Sequence, residues 1–110
     1  MNLDREERVL RAVGLCRKAQ KLVIGTDAVC EAISGRQKPF AVFAASDNSE
    51  NTDKKLRDKC GFYGVELIPL PATGERLAHA IGKGARCAAV AVTDENLCRL
   101  VRKTLTGSEN

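Results

Sequence analysis

Two glycine turns with basic neighbours are the stretches of this chain best equipped for chemistry. In the first, Arg17-Lys18-Ala19-Gln20-Lys21 leads through Leu22-Val23-Ile24 into Gly25-Thr26-Asp27-Ala28. Gly25 tolerates φ > 0 and the close approach of another backbone, and Thr26 or Asp27 is expected to cap the helix that follows. The free N–H groups of that helix's first turn, at the positive end of its dipole, suit a phosphate. The second turn is Gly82-Lys83-Gly84-Ala85-Arg86, directly before an apolar run that begins at Cys87. If the fold brings both turns to one end, backbone amides surrounded by Lys18, Lys21, Lys83 and Arg86 offer a nucleic-acid backbone a place to dock. Arg36 and Lys38 add cations after the second helix. Taken singly, each turn is equally an ordinary connection, and the basic residues equally a solvated surface.

Other chemistries have weaker support. Asp47 and Asp94 each follow an apolar run, and carboxylates at strand ends serve metals or catalysis in open α/β sheets. That pattern keeps open a second class, a receiver-like phosphoacceptor or a small magnesium-dependent enzyme. Both residues are equally placed to close a turn or cap a helix. His79 is the only histidine, lies inside a helical pattern and has no cysteine near it in sequence, so no nucleophilic triad is advertised. Cys16, Cys30, Cys60, Cys87 and Cys98 are odd in number and form no C-x-x-C pair. They read as reduced thiols packed among apolar residues, the pattern of a cytoplasmic protein, and no metal site is expected from them.

The elements that must position these residues alternate from end to end. Asp4 is placed to cap a first helix reaching about Ala19, with Val9, Ala12, Val13, Cys16 and Ala19 on one face. Leu22-Val23-Ile24 is a short strand, and a second helix covers about 27–34. Phe40-Ala41-Val42-Phe43-Ala44-Ala45 reads as a strand covered on both faces. Ser49 caps a third helix from Glu50 to about Tyr63, with Leu56, Cys60 and Tyr63 aligned. Val65-Glu66-Leu67-Ile68-Pro69 is a strand that proline confines to a sheet edge. Thr73 caps a fourth helix carrying Leu77, Ala80 and Ile81. Cys87 to Val92 is another buried strand, and Asp94 to Leu105 a final helix before a frayed tail, 106–110.

Size and composition set the outer bounds. The chain has 110 residues, 44% of them hydrophobic. A chain of this length buries roughly 60–70% of its surface, enough for a core without disulfides or metal. A single domain with its core at about 4–105 is expected. The formal charge of +4 suits a phosphate-rich partner without requiring one. Only 4% of residues are aromatic, few for a protein that stacks a long single strand. The charged start, Met1 to Glu7, lacks the apolar core of a signal peptide, and no run approaches the roughly 20 residues of a membrane span.

Four segments in register carry a family resemblance. They are Gly25-Thr26-Asp27-Ala28-Val29, then Ala45-Ser46-Asp47-Asn48-Ser49-Glu50-Asn51-Thr52, Asp58-Lys59-Cys60, and Ala80-Ile81-Gly82-Lys83-Gly84-Ala85-Arg86 followed by Val90-Ala91-Val92-Thr93-Asp94. From about residue 9 to 105 the chain resembles the small bacterial YlxQ-like members of the kink-turn-binding ribosomal protein superfamily, which includes the large-subunit proteins L-seven-Ae and L-thirty-e. The resemblance implies a three-layer α/β/α sandwich around a mixed four-stranded sheet. It implies a non-enzymatic protein without cofactor or metal that binds bent or kink-turn-like structured RNA. Ribosomal RNA or another kink-turn-containing RNA is the implied partner, with the ribosome as a further candidate. It places the RNA at Gly25, Thr26, Asp27 and Ala28, and at Lys83, Gly84, Ala85, Arg86 and Cys87. Kink-turn binders of the archaeal and eukaryotic branch carry Asn-Glu after the residue that follows the glycine, and a lysine one turn on. Here those positions hold Asp27, Ala28 and Glu31. Because the fold also serves as an accessory module, a detached substrate-binding module of an RNA-modifying enzyme is a further alternative.

Overall fold

The computed structural model describes residues 4–106, so the expected frayed tail beyond Thr106 lies outside the described residues. The elements are α1 (Arg5–Lys18), β1 (Leu22–Ile24), α2 (Thr26–Ile33), β2 (Ala41–Ala44), α3 (Glu50–Tyr63), β3 (Leu67–Pro69), α4 (Gly74–Ile81), β4 (Ala89–Val92) and α5 (Glu95–Thr106). Side-chain caps begin four of the helices. Asp4 accepts from Glu7 N–H, Ser49 from Thr52 N–H, Thr73 from Arg76 N–H and Asp94 from Leu97 N–H. Each satisfies a donor that the helix cannot pair internally. α1 ends in a left-handed residue, Gln20 with φ 61°. Gln20 N–H donates to Arg17 O and Lys21 N–H to Cys16 O, the pair of bonds that closes a Schellman turn.

The sheet order is β1-β4-β2-β3. β4 runs antiparallel to both β1 and β2, whereas β2 and β3 are parallel. β3, with its proline, is an edge strand as expected, but it is shorter than the 65–69 apolar run. β2 and β4 likewise lose the outer residues of their runs, Phe40 and Ala45 in one, Cys87 and Ala88 in the other. Phe40 is exposed, and Cys87 is buried in the approach to β4.

Alternation along the two central strands builds two cores. Ala41 and Phe43 of β2, with Val90 and Val92 of β4, pack beneath α1, α4 and α5 against Val13, Leu77 and Val101. Val42 and Ala44, with Ala89 and Ala91, face the opposite way, toward Val29, Ile33, Leu56 and Cys60 of α2 and α3. Successive side chains of a strand point to opposite faces, so these unbroken apolar runs are what a sheet covered on both sides requires. The three-layer α/β/α sandwich around a mixed four-stranded sheet is present. Ala19, expected on the buried face of α1, is exposed beyond the last helical turn.

Candidate nucleic-acid interface

β1 passes into α2 through one residue. Gly25 has φ 97° and ψ 150°, a region that is essentially glycine-only. Its N–H donates to Ala89 O at 2.9 Å, while its carbonyl accepts from Val29 N–H at 2.9 Å. Gly25 is therefore the N-cap. The expected capping role of Thr26 or Asp27 is corrected, because the left-handed turn starts the helix one residue earlier and puts both inside its first turn. A glycine cap has no side chain to offer, so none of the N–H groups of Thr26, Asp27 and Ala28 has a capping acceptor, whereas each of the other four helices has one first-turn N–H bonded to its cap. Asp27 is turned toward Lys55 at 3.4 Å and is 98% exposed.

The second glycine turn comes alongside. Gly82 (φ 66°) ends α4 and Gly84 (φ 70°) reverses the chain, and Cys87 N–H then donates to Gly74 O at 2.9 Å. Gly25, Thr26, Lys83, Gly84, Arg86 and Cys87 border one open groove of about 530 Å³. The juxtaposition of the two turns is thus met. Gly84 and Ala85 also border a second hollow, over Arg76 and His79 of α4.

Arg86 is held. Its guanidinium donates through Nη1 to Asp47 Oδ2 at 2.9 Å and through Nη2 to Asp47 Oδ1 at 3.0 Å, with further bonds to Asp47 O and Asn48 Oδ1. Asp47 Oδ1 also accepts from Gly74 N–H at 2.9 Å, and Asn48 donates to Ala88 O at 3.0 Å. Bidentate guanidinium–carboxylate pairs are charge-assisted and directional. Here one such pair ties the segment before β4 to the turn after β2 and to the start of α4. The Arg86 guanidinium, and after it the Gly74 N–H, bring the Asp47 carboxyl down from 3.8 to about 2. The same bonds raise the pKa of Arg86 further. Gly74 leaves the space for this contact, since a Cβ there would lie 2.8 Å from the Arg86 guanidinium carbon. Sequence reasoning missed Asp47 and Gly74 as partners of Arg86, and a separation of 39 residues gives no local signal for it.

Lys83 is the basic residue on the groove that makes no ion pair among the described residues. Cys87 contributes little surface. It is 4% exposed, its Sγ lies 3.3 Å from Ala89 O, and burial raises its pKa. The remaining expected cations stand elsewhere. Thr93 N–H donates to Lys21 O, which fixes Lys21 at the opposite end of β1 from Gly25, roughly 13 Å along an extended chain. Lys18 is in the last turn of α1, where neighbouring Arg17 donates to Ile81 O. Arg36 follows the C-terminal end of α2, also away from its glycine cap.

The antiparallel sheet separates the two carboxylates of the second class. Asp47 follows β2 and Asp94 follows β4, so they lie at opposite ends of the sheet. The phosphoacceptor or magnesium-enzyme reading is corrected on that ground, because no single rim holds both. Asp94 caps α5, and Asp47, rather than merely closing its own turn, binds Arg86.

The same architecture recurs among solved proteins. The Giardia lamblia 15.5kD RNA binding protein superposes with a TM-score of 0.72 at 17% identity, covering 99% of this chain and 91% of that one. A protein of unknown function from Bacillus halodurans reaches a TM-score of 0.79 at 30% identity, covering 90% and 97%. Residues 7–101 match the profile of the ribosomal protein L7Ae/L30e/S12e/Gadd45 family, and the chain belongs to that family. Among its relatives is the RNA-binding protein YlxQ of Enterococcus faecium, 29% identical over 97% of this chain and all of that protein. YlxQ of Bacillus subtilis strain 168 is 39% identical over 76% of this chain and 80% of its own length. Both YlxQ relatives are named RNA-binding proteins, and the family and these names group the chain with RNA-binding proteins rather than with enzymes.

Proposed function

We propose that this protein binds structured RNA through the groove between the start of α2 and the loop before β4. The observation that carries the reading is the uncapped first turn of α2 beside Lys83. First-turn N–H groups with no capping side chain, at the positive end of a helix, suit an anion, and Lys83 brings a charge without an ion-pair partner among the described residues to the groove that Gly25 and Thr26 border. A sharply bent backbone, with phosphates crowded on its inner side, fits such a concave site better than a straight duplex. The names of the family and of the YlxQ relatives support RNA as the partner, and ribosomal RNA met during translation in the cytoplasm is the expected source.

Recognition here works through the backbone. Ala28 has no group for a base edge, and Glu31, exposed one turn later, repels phosphate. Binding of this kind is governed by counterion release, with affinity falling as salt rises. The test is fluorescence anisotropy on a stem bent by a bulge beside sheared G·A pairs, against a straight duplex of the same composition. Bent RNA should bind more tightly, and Lys83→Ala should flatten the log–log salt slope by about one unit. Equal affinity for both RNAs, or a salt slope unmoved by Lys83→Ala, would overturn the reading.

A further inference from the structure

The C-terminal end of α3 carries a ring that the core does not use. Phe62 is 81% exposed, far more than any other large apolar side chain among the described residues. It meets Tyr63 edge-on, with ring centroids 4.9 Å apart and planes at 79°. The ammonium groups of Lys38 and Lys59 lie 5.4 and 5.6 Å from the centre of the Tyr63 ring. The low aromatic content gives this pairing weight, because the chain has only three Phe, one Tyr and no Trp.

Further cations share this end of the molecule. Phe40 N–H donates to Val92 O and Thr93 N–H to Lys21 O, so the loop carrying Arg36 and Lys38 and the residue Lys21 both abut the end of β4. Lying on either side of that strand, they are separated by roughly 10 Å. Lys21, Arg36, Lys38 and Lys59 take part in no ion pair among the described residues. Two carboxylates of the adjoining elements are engaged elsewhere, Asp58 with Lys54 and Glu66 with Arg102.

An open aromatic face among unpaired cations matches a partner that has both flat faces and regularly spaced anions. Unpaired nucleotides have both, and stacking on aromatic side chains with basic residues along the backbone is how single strands are held. A duplex keeps its base faces stacked internally, and an acidic protein surface would engage the cations without needing the ring. We infer that this end is a second RNA contact, which takes an unpaired strand with a base stacked on Phe62 and flanking phosphates on Arg36, Lys38 and Lys59. The inference rests on the RNA-binding reading above, the strand being an extension of the RNA seated in the groove. Because α3 begins beside the groove's Asp47 turn and ends at this patch, its 14 residues set the separation at about 20 Å.

The experiment compares the bent stem alone, the same stem with about ten unpaired uridines on its 5′ or 3′ end, and free oligouridine; such a tail exceeds the ~20 Å span. Affinity is read by anisotropy and local contact by the fluorescence of Tyr63, the sole tyrosine in a chain without tryptophan. A tail should strengthen binding about ten-fold, within what stacking of a base supplies, and should quench Tyr63. Phe62→Ala should abolish that gain and leave the tail-less stem unaffected, with an unchanged thermal melt showing that the fold is intact. Arg36→Ala with Lys38→Ala should lower the salt slope of the tailed RNA by about 1.4 units. A tail that adds nothing to a stem held through Lys83, or a Phe62→Ala loss equal for both RNAs, overturns this inference and leaves the groove reading standing. Oligouridine bound through Phe62 with no binding of the stem overturns the groove reading, and with it the claim that the strand extends an RNA seated there. No binding of any of the three RNAs overturns both.

Discussion

Arg86 is a cation beside the groove whose charge is already matched, and this changes what its replacement should do. Its bonds to Asp47 and Asn48 hold the 83–88 loop in place, so it positions the groove rather than simply adding positive charge to it. The folded pKa of Asp47, about 2, is below the 3.8 of a free carboxyl. The pair's contribution to stability is therefore complete above about pH 4 and is lost as pH falls through about 2. Asp47→Asn should lower the melting temperature at neutral pH and flatten its decline between pH 4 and 2. Gly74→Ala should reproduce that flattened profile, because the new methyl displaces the Arg86 guanidinium, while alanine's better helix propensity offsets part of the loss. Thermal melts of the three proteins from pH 2 to 7 check this; an unaltered pH profile in both variants would show that the pair adds nothing to stability.

At the scale of elements, α2 is set apart by what begins it. Its glycine cap gives up a side-chain hydrogen bond that each of the other helices has, and leaves its three first-turn amide donors without a capping acceptor. A Cβ at Gly25 meets nothing within 4 Å, yet φ is 97°. Gly25→Ala should thus destabilise by strain alone, on the order of 1–3 kcal/mol. Gly64 is the control, with φ 71° and open space around the missing Cβ, at the end of α3 remote from the groove, where alanine costs roughly 1–2 kcal/mol. Denaturant unfolding should show losses of similar size in both. Affinity for bent RNA should fall in Gly25→Ala, where strain at φ 97° shifts the turn that presents the amides, and stay level in Gly64→Ala. Equal affinity in all three proteins would reduce Gly25 to a turn residue.

For the whole molecule, the layered packing decides the fate of its thiols. All five cysteines are buried, and burial pushes Cys16 and Cys60 up to about 11. The thiolate is the reactive form, so labelling with a thiol reagent should be slow in the native protein and fast once it is denatured. Cys87, although it borders the groove, has no lead over the others. Cys30, at 8% the least covered of the five, should react first, and Cys16, Cys60 and Cys98 should follow global opening. Fast native reaction of three or more thiols would contradict the two-core packing. The molecule measures 41 × 27 × 22 Å, and the cations assigned to RNA stand at two ends, Lys83 at the groove and Lys21, Arg36, Lys38 and Lys59 at the far end of the sheet.

Much of this was written locally in the chain. Asp4, Ser49, Thr73 and Asp94 each bond three residues ahead, and a bond that short shows in sequence as a polar residue before an apolar period. The buried strands are visible for a similar reason, because a sheet covered on both faces needs unbroken apolar runs such as Ala41–Ala44 and Ala89–Val92. The glycines of the two turns mark where the chain needs left-handed angles. Strand direction carries no such local mark, since an apolar run looks the same whether it pairs parallel or antiparallel. Only the tertiary structure could put Asp47 and Asp94 at opposite ends of the sheet and move Lys21 away from Gly25. It also joined Arg86 to Asp47 across 39 residues and left Phe62 uncovered beside cations drawn from α3 and two separate loops. Contacts between distant segments follow from how the layers stack, and stacking is settled by the whole set of buried faces together.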